Sequence, residues 1–216
     1  MLAANLFMIV FRLLHIVAGV LWVGSAFLFV GFIGPSAAEV GPAAGPILLA
    51  AVKKRKVPKV ITGLGITTVV AGWILWLRDL NDYGSLGDWL GSNFGLVLTI
   101  GAVLATIAAF LGALGVGRNV ERLVDMSDTV TASGGPPTPE QQARIEHLGG
   151  EIEKHGKIDL VLLLLAVACM ATARYLVDPD GLHAADLTAA RSWTTFSSGR
   201  RPSSSSAAPG RPAFLV

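Results

Sequence analysis

The chain has 216 residues, 52 % of them hydrophobic and 15 % charged, with a formal net charge of +2. A soluble domain carries nearer to about 25 % charged residues, so much of this surface does not face water, and so small a net charge gives no basis for a nucleic-acid partner. The single cysteine, Cys169, excludes an internal disulfide and a cysteine-based zinc site; its apolar setting predicts packing filler, with a metal or redox role as the alternative.

A helix needs about 20 mostly apolar residues to cross the hydrocarbon core of a bilayer. Four stretches meet or approach that length, and they predict an all-α polytopic membrane protein, an antiparallel bundle with spans at 8–34, 58–78, 94–117 and 157–177. In the first, Leu13 to Ile33 is apolar except for His15 and Ser25. Ser36-Ala37-Ala38 resembles a signal-peptidase site. A signal's apolar core is only about 7–15 residues long and follows a basic segment. Here the run is longer and no Lys or Arg precedes Arg12, so the segment reads as a retained span.

Between spans one and two, Pro42 and Pro46 flank a small-residue turn. Ile47 to Val52 then leads into Lys53-Lys54-Arg55-Lys56, which reads as a short helix at the interface, basic part toward anionic headgroups. Within span two, Val60 to Leu77 has only threonines as polar interruptions, and span three has only Thr99 and Thr106. Span three also carries Gly101, Ala105, Ala109, Ala113 and Gly117 at four-residue intervals, and Thr68 and Gly72 give span two a shorter version. Small residues let helix backbones approach in lipid. The stripe therefore predicts close packing within the bundle or across a homodimer.

The connection 118–156 begins as a helical continuation, Arg118 to Asp128, and breaks at Ser133-Gly134-Gly135-Pro136-Pro137. Thr138 as N-cap and Pro139 at the first helical position start a new helix. Its apolar stripe, Ile145, Leu148 and Ile152, suits packing against the other extension or docking of a partner. His155, Lys157 and Asp159 cluster where span four begins, as an interfacial charge group or a proton entry point, with Asp159 expected to pair with Lys157 or another base. Arg174 can snorkel beside Tyr175 at the far end. Residues 179–216, rich in Ser, Pro, Arg and Gly from about Leu187, form an expected disordered tail.

Basic residues mark cytoplasmic loops. Lys53, Lys54, Arg55, Lys56 and Lys59 join spans one and two; Arg118, Arg122, Arg144, Lys154 and Lys157 join spans three and four. The intervening loop has Arg78 against Asp79, Asp82 and Asp88. Both basic loops are expected on the cytoplasmic side of a plasma (inner) membrane, with both termini outside.

His15 is the main candidate site, because ionisable groups within spans are rare and usually functional. Arg12, Gly19 and Trp22 lie near the same helical face. One arrangement uses all four: His15 as axial ligand of a haem b, Gly19 leaving room for the macrocycle, Trp22 packed on it and Arg12 paired to a propionate. The plain alternative is a histidine hydrogen-bonded to a neighbouring helix, with a proton relay as a third. His155 lies toward the opposite side, so the haem is held by His15 alone or takes a second ligand from Met8, Met170 or another subunit. No phosphate loop, paired-histidine zinc motif or nucleophile elbow is present, and no catalytic residue is assigned.

The stretch Leu14-His15-Ile16-Val17-Ala18-Gly19-Val20-Leu21-Trp22-Val23-Gly24 resembles the first-helix signature of the CopD-like membrane proteins, including the DUF2269 type. Gly34-Pro35, the basic loop, Thr62-Gly63 and the Lys157-to-Arg174 span fit the same layout, so the resemblance covers roughly Phe7 to Val177. The first helix is also similar to that of the HemJ-type protoporphyrinogen oxidases, where the histidine is tied to haem, but Phe32-Ile33-Gly34-Pro35-Ser36 replaces the continuation of that family. The resemblance implies an accessory or redox-associated membrane component in which His15 holds haem b. The alternatives are a cofactor-free structural subunit of a membrane complex and a copper-handling protein.

Overall fold

The computed structural model describes residues 2–176. The expected tail at 179–216, with His183, and the last residue of span four, Val177, lie outside the described residues. Those described are all-α, with no strand among them. Helices α1 (Leu2–Leu28), α2 (Gly34–Val40) and α3 (Gly45–Leu49) lead through α4 (Val57–Tyr83) and α5 (Leu86–Gly91) to α6 (Asn93–Leu111), α7 (Arg118–Ser133) and α8 (Pro139–Thr172). π-Helical turns at Phe29–Ile33 and Gly112–Gly117 join α1 to α2 and α6 to α7 without a break in the rod, and a third, Ala50–Lys54, extends α3 up to the turn before α4. Four continuous helices, Leu6–Val40, Val57–Tyr83, Asn93–Ser133 and Pro139–Tyr175, are long and apolar enough to cross a membrane.

Burial is inverted relative to a soluble protein. Val20, Phe110 and Val161 are more than half exposed, whereas Ala105, Ala108, Ala166 and Ala173 are buried. Large side chains thus face outward and small ones inward. In water such a surface would associate; in lipid it is solvated, and close backbone approach supplies the packing. This is the architecture of a multi-pass membrane protein.

Helix α1 runs antiparallel to α4 in a fixed register. The His15 ring lies on Gly72, Gly19 faces the Thr68 side chain and Trp22 lies flat on Gly65. Each step of three or four residues along α1 is matched by an equal step back along α4. The third span and α8 are also antiparallel: Gly101 meets Cys169, the π-turn residue Gly112 meets Asp159 and Gly115 meets His155.

The small-residue stripe of span three is used inside the chain, on α8, but its course differs from the expected one. Gly101, Ala105 and Ala108 are buried, and contact continues through Gly112 and Gly115. A strict four-residue repeat overshoots each 3.6-residue turn by about 40°, so Ala109, Ala113 and Gly117 drift off the seam. Alternating steps of three and four stay on it.

Local signals explain the ends. Gly134, at φ +69°, ends α7 in the left-handed conformation that glycine adopts without strain. Thr138 opens α8 with a capping box: its hydroxyl accepts from the Gln141 backbone, and the Gln141 side chain accepts from the Thr138 N–H. Lys53 pairs with Asp128, tying the basic connection after α3 to α7. The two basic connections therefore lie at one end, here the basic end. The opposite end is built around α5, whose Trp89 is fully buried.

Candidate functional site

A cavity of about 230 Å³ opens inside the tryptophan half of the bundle. His15, Thr68 and Gly72 form one wall, Trp73 and Trp76 another, and Met170 comes from α8. Arg12 and Asp79 line it nearer the tryptophan end, close enough for the guanidinium to act on the carboxylate by charge.

His15 is held by a specific contact. Its Nδ1 lies 2.8 Å from the Thr68 carbonyl oxygen. A carbonyl only accepts, so Nδ1 carries the proton, and in the neutral ring Nε2 keeps its lone pair. That lone pair has no hydrogen-bond partner among the described residues. Gly72 makes the arrangement feasible, since a Cβ there would stand 2.7 Å from the ring's Cε1 and 2.9 Å from Nδ1. A ring fixed through one nitrogen to a backbone carbonyl, with the other nitrogen free, is how metal-binding histidines are oriented.

The four residues read together in the sequence divide into two pairs. His15 and Arg12 line the cavity. Gly19 and Trp22 do not; both are occupied in the contact with α4. A Cβ on Gly19 would stand 3.3 Å from Thr68 Cγ2, and Trp22, 4 % exposed, covers Gly65. Gly19 therefore leaves no room for a macrocycle, because α4 fills it, and Trp22 belongs to the apolar core with Ala108 and Leu163. The four share a helical face, but that face turns from cavity to seam over two turns.

Trp73 and Trp76 of the cavity lining belong to an indole network that is not legible in the sequence as a unit. Thr99 Oγ1 accepts from two indoles, Trp76 Nε1 at 2.8 Å and Trp89 Nε1 at 2.9 Å, and donates to the Gly95 carbonyl at 2.6 Å. Thr106 Oγ1 accepts from Trp73 Nε1 at 3.0 Å. Trp73, Trp76, Trp89 and Tyr83 then pack edge to face in a chain. The two polar interruptions of span three are thus the acceptors that let three indoles enter an apolar bundle. The one sequence signal is that Thr99 and Thr106 are seven residues apart on one face.

No family model matches the chain, and neither a curated protein nor a solved structure does.

At the basic end the charge cluster differs from expectation. Lys157 pairs with Glu153 at 2.6 Å, and no base pairs with Asp159 among the described residues. Helical spacing explains it: Glu153 is one turn before Lys157 on an exposed face, whereas Asp159 turns inward toward Gly112. Among the described residues no three His, Cys, Asp or Glu side chains converge as a metal site.

The donor chemistry suits a haem in part. Nε2 of His15 is a free nitrogen ligand, Met170 brings a thioether to the same cavity and Arg12 a cation. The volume is small, below the roughly 300–1,000 Å³ of pockets that enclose a drug-sized ligand. A macrocycle thus requires the helices to part, and a single metal ion does not.

Proposed function

We propose that this chain is an accessory, redox-associated membrane protein of the CopD-like, DUF2269 type, in which His15 Nε2 coordinates a metal centre within the tryptophan half of the bundle. The observation that carries this reading is the His15 Nδ1–Thr68 carbonyl bond, which fixes the ring and leaves Nε2 free beside a cavity. The shared chemistry would be nitrogen coordination of a soft or borderline metal, held by His15 with Met170 as candidate second donor. Haem b and a bare copper ion both supply such a metal, and a bound haem would bring one-electron redox chemistry. The chain's own part is to orient His15 through Thr68, to offset negative charge with Arg12 and to keep water out with Trp73 and Trp76. In a plasma (inner) membrane the basic loops favour the cytoplasmic side, with both termini outside.

The test is a reduced-minus-oxidised absorbance spectrum of the protein purified after expression with haem supply, with copper analysis of the same sample and of His15→Ala. A Soret band lost in the variant identifies haem. A colourless protein with stoichiometric copper lost in the variant identifies the ion. A folded wild type with neither sinks the reading.

A second reading has its own support. The same 2.8 Å bond ties α1 to α4 and by itself accounts for a histidine at this position. On that reading the chain is a cofactor-free subunit of a membrane complex, or of a homo-oligomer, and it co-purifies with its partner when extracted mildly.

A further inference from the structure

The basic half of the bundle contains a second polar feature, independent of the His15 cavity. Asp159 is 6 % exposed, and its Oδ1 is buried with no hydrogen-bond partner among the described residues. One turn toward the basic end on the same stripe of α8 is His155, whose Nδ1 is also buried and unpartnered, 3.7 Å from Glu151 Oε2. Exposure falls along this stripe, from the side chains of Glu151 (34 %) and His155 (25 %) to Asp159. One turn further on is Leu163, 1 % exposed, in the apolar core with Trp22 and Ala108. The stripe is a ladder of titratable groups that enters from the basic end and stops at a dry plug.

What surrounds the ladder is small or apolar. From span three, Gly112 faces the Asp159 carboxylate and Gly115 faces the His155 ring, where a Cβ would come within 3.1 Å of Cγ. Both glycines belong to the π-helical turn Gly112–Gly117, and such turns are frequent at functional sites. From the first span, Val30 lies on Gly156, within a second π-helical turn. The nearby bases are committed or remote: Lys157 is paired to Glu153, Arg122 donates to Asn119, and Lys59 and Arg118 are exposed and make no ion pair among the described residues. No counter-charge from α1, α4, α6 or α7 faces Asp159 among the described residues. A carboxylate there is a buried, uncompensated charge; a carboxylic acid carries none, and its hydroxyl can donate.

We infer that Asp159 is a reversible proton-binding site, served from the basic end by His155. Its ligand is a proton from the solvent on that side. The step forms one O–H bond on Asp159, turns a carboxylate into a carboxylic acid and is reversed when the proton leaves by the same ladder. Because Trp22, Ala108 and Leu163 close the inner end, exchange is one-sided. The site thus reports the pH of one compartment and does not conduct across the membrane.

Infrared difference spectroscopy on the full chain in oriented vesicles, with pH stepped on one side at a time, tests this. A protonated-carboxyl stretch that appears only for steps on the basic-end side, and is lost in Asp159→Asn, is the expected result. Asp159→Glu should retain a titrating band, which guards against a folding defect in the first variant. His155→Gln should keep the band but slow its response by about 100-fold, the usual scale of a positioned proton donor. A band unchanged in Asp159→Asn, or a response to both sides equally, overturns the inference. An unchanged rate in His155→Gln removes His155 from it.

Discussion

Replacing Gly72 by alanine tests whether the His15 contact is built or incidental. The new Cβ would stand 2.7 Å from Cε1 and 2.9 Å from Nδ1 of the imidazole. Real Cβ contacts are not that short, so the ring must move. It has little freedom, since Nδ1 is only 2.8 Å from the Thr68 carbonyl. Losing that bond removes about 0.5–1.5 kcal/mol, and overpacking a well-filled contact costs about 1–3 kcal/mol. Against this, alanine gains up to about 1 kcal/mol of helix propensity. The control is Gly63→Ala on the same helix, where nothing lies within 4 Å of the added carbon. It takes the propensity gain without the clash, so the difference between the variants isolates the contact at about 1.5–4.5 kcal/mol before any relaxation. Thermal unfolding in one detergent measures it, and the nitrogen resonances of His15 report the loss of the Nδ1–H donor. If Gly72→Ala is as stable as Gly63→Ala with an unchanged His15 Nδ1 signal, the argument that Gly72 exists to seat the ring is wrong.

Thr99→Val keeps the shape but removes the acceptor shared by Trp76 and Trp89, leaving the N–H of a fully buried indole unpaired. A loss of about 1–3 kcal/mol for each stranded donor, with a shift in tryptophan emission, is expected; unchanged emission contradicts the network. Lys53 and Asp128 are both exposed, so their pair should couple by no more than about 1 kcal/mol in a double-mutant cycle and fade with salt. Thr138→Ala removes the capping box and should cost about 0.5–2 kcal/mol, read as faster amide exchange in the first turn of α8. Glu140 in that turn is held below the ordinary carboxylate range by its own backbone N–H and then by Thr138. A depressed carboxyl stabilises the folded form above its unfolded pKa and loses that contribution as pH falls through its folded pKa. The turn should therefore fray on acidification, and this extra acid sensitivity should shrink in Thr138→Ala.

The four spans were legible because the signal is long and does not depend on neighbours: each apolar run is set by bilayer thickness. The start of α8 was legible for the opposite reason, since Thr138, Pro139 and Gln141 act within one turn. What failed needed a third dimension. The strict four-residue stripe through Ala109 and Ala113 ignored the drift of a 3.6-residue helix. Gly19 and Trp22 were grouped with His15 on a face that bends from cavity to seam. The expected partner of Asp159, Lys157 or a base from another helix, is not found among the described residues, and for Lys157 the reason is that helical geometry turns residues two positions apart away from each other. The indole–threonine network was beyond sequence reasoning because Trp73, Trp76, Thr99 and Thr106 meet only after α4 and α6 have docked.

The placement of polar groups follows from one physical problem. Lipid offers no hydrogen bonds, so each buried polar atom must find its partner within the bundle. In the tryptophan half pairing solves the problem for His15 Nδ1, with a backbone carbonyl, and for three indoles, with two hydroxyls, while Nε2 of His15 is left to the cavity. In the basic half it is left open at Asp159 Oδ1 and His155 Nδ1. Trp22, Ala108 and Leu163 lie between, and α1 can bring an indole there only because position 65 on α4 is glycine. A barrier made of one rigid ring seated on one glycine is either shut or displaced, with little between. Gly65→Ala, whose Cβ would stand 2.9 Å from Trp22 Cε2, should unseat the ring and let the two halves share water. Hydrogen exchange along α4 near Thr68 should then respond to pH on the basic side, which in the wild type it should not.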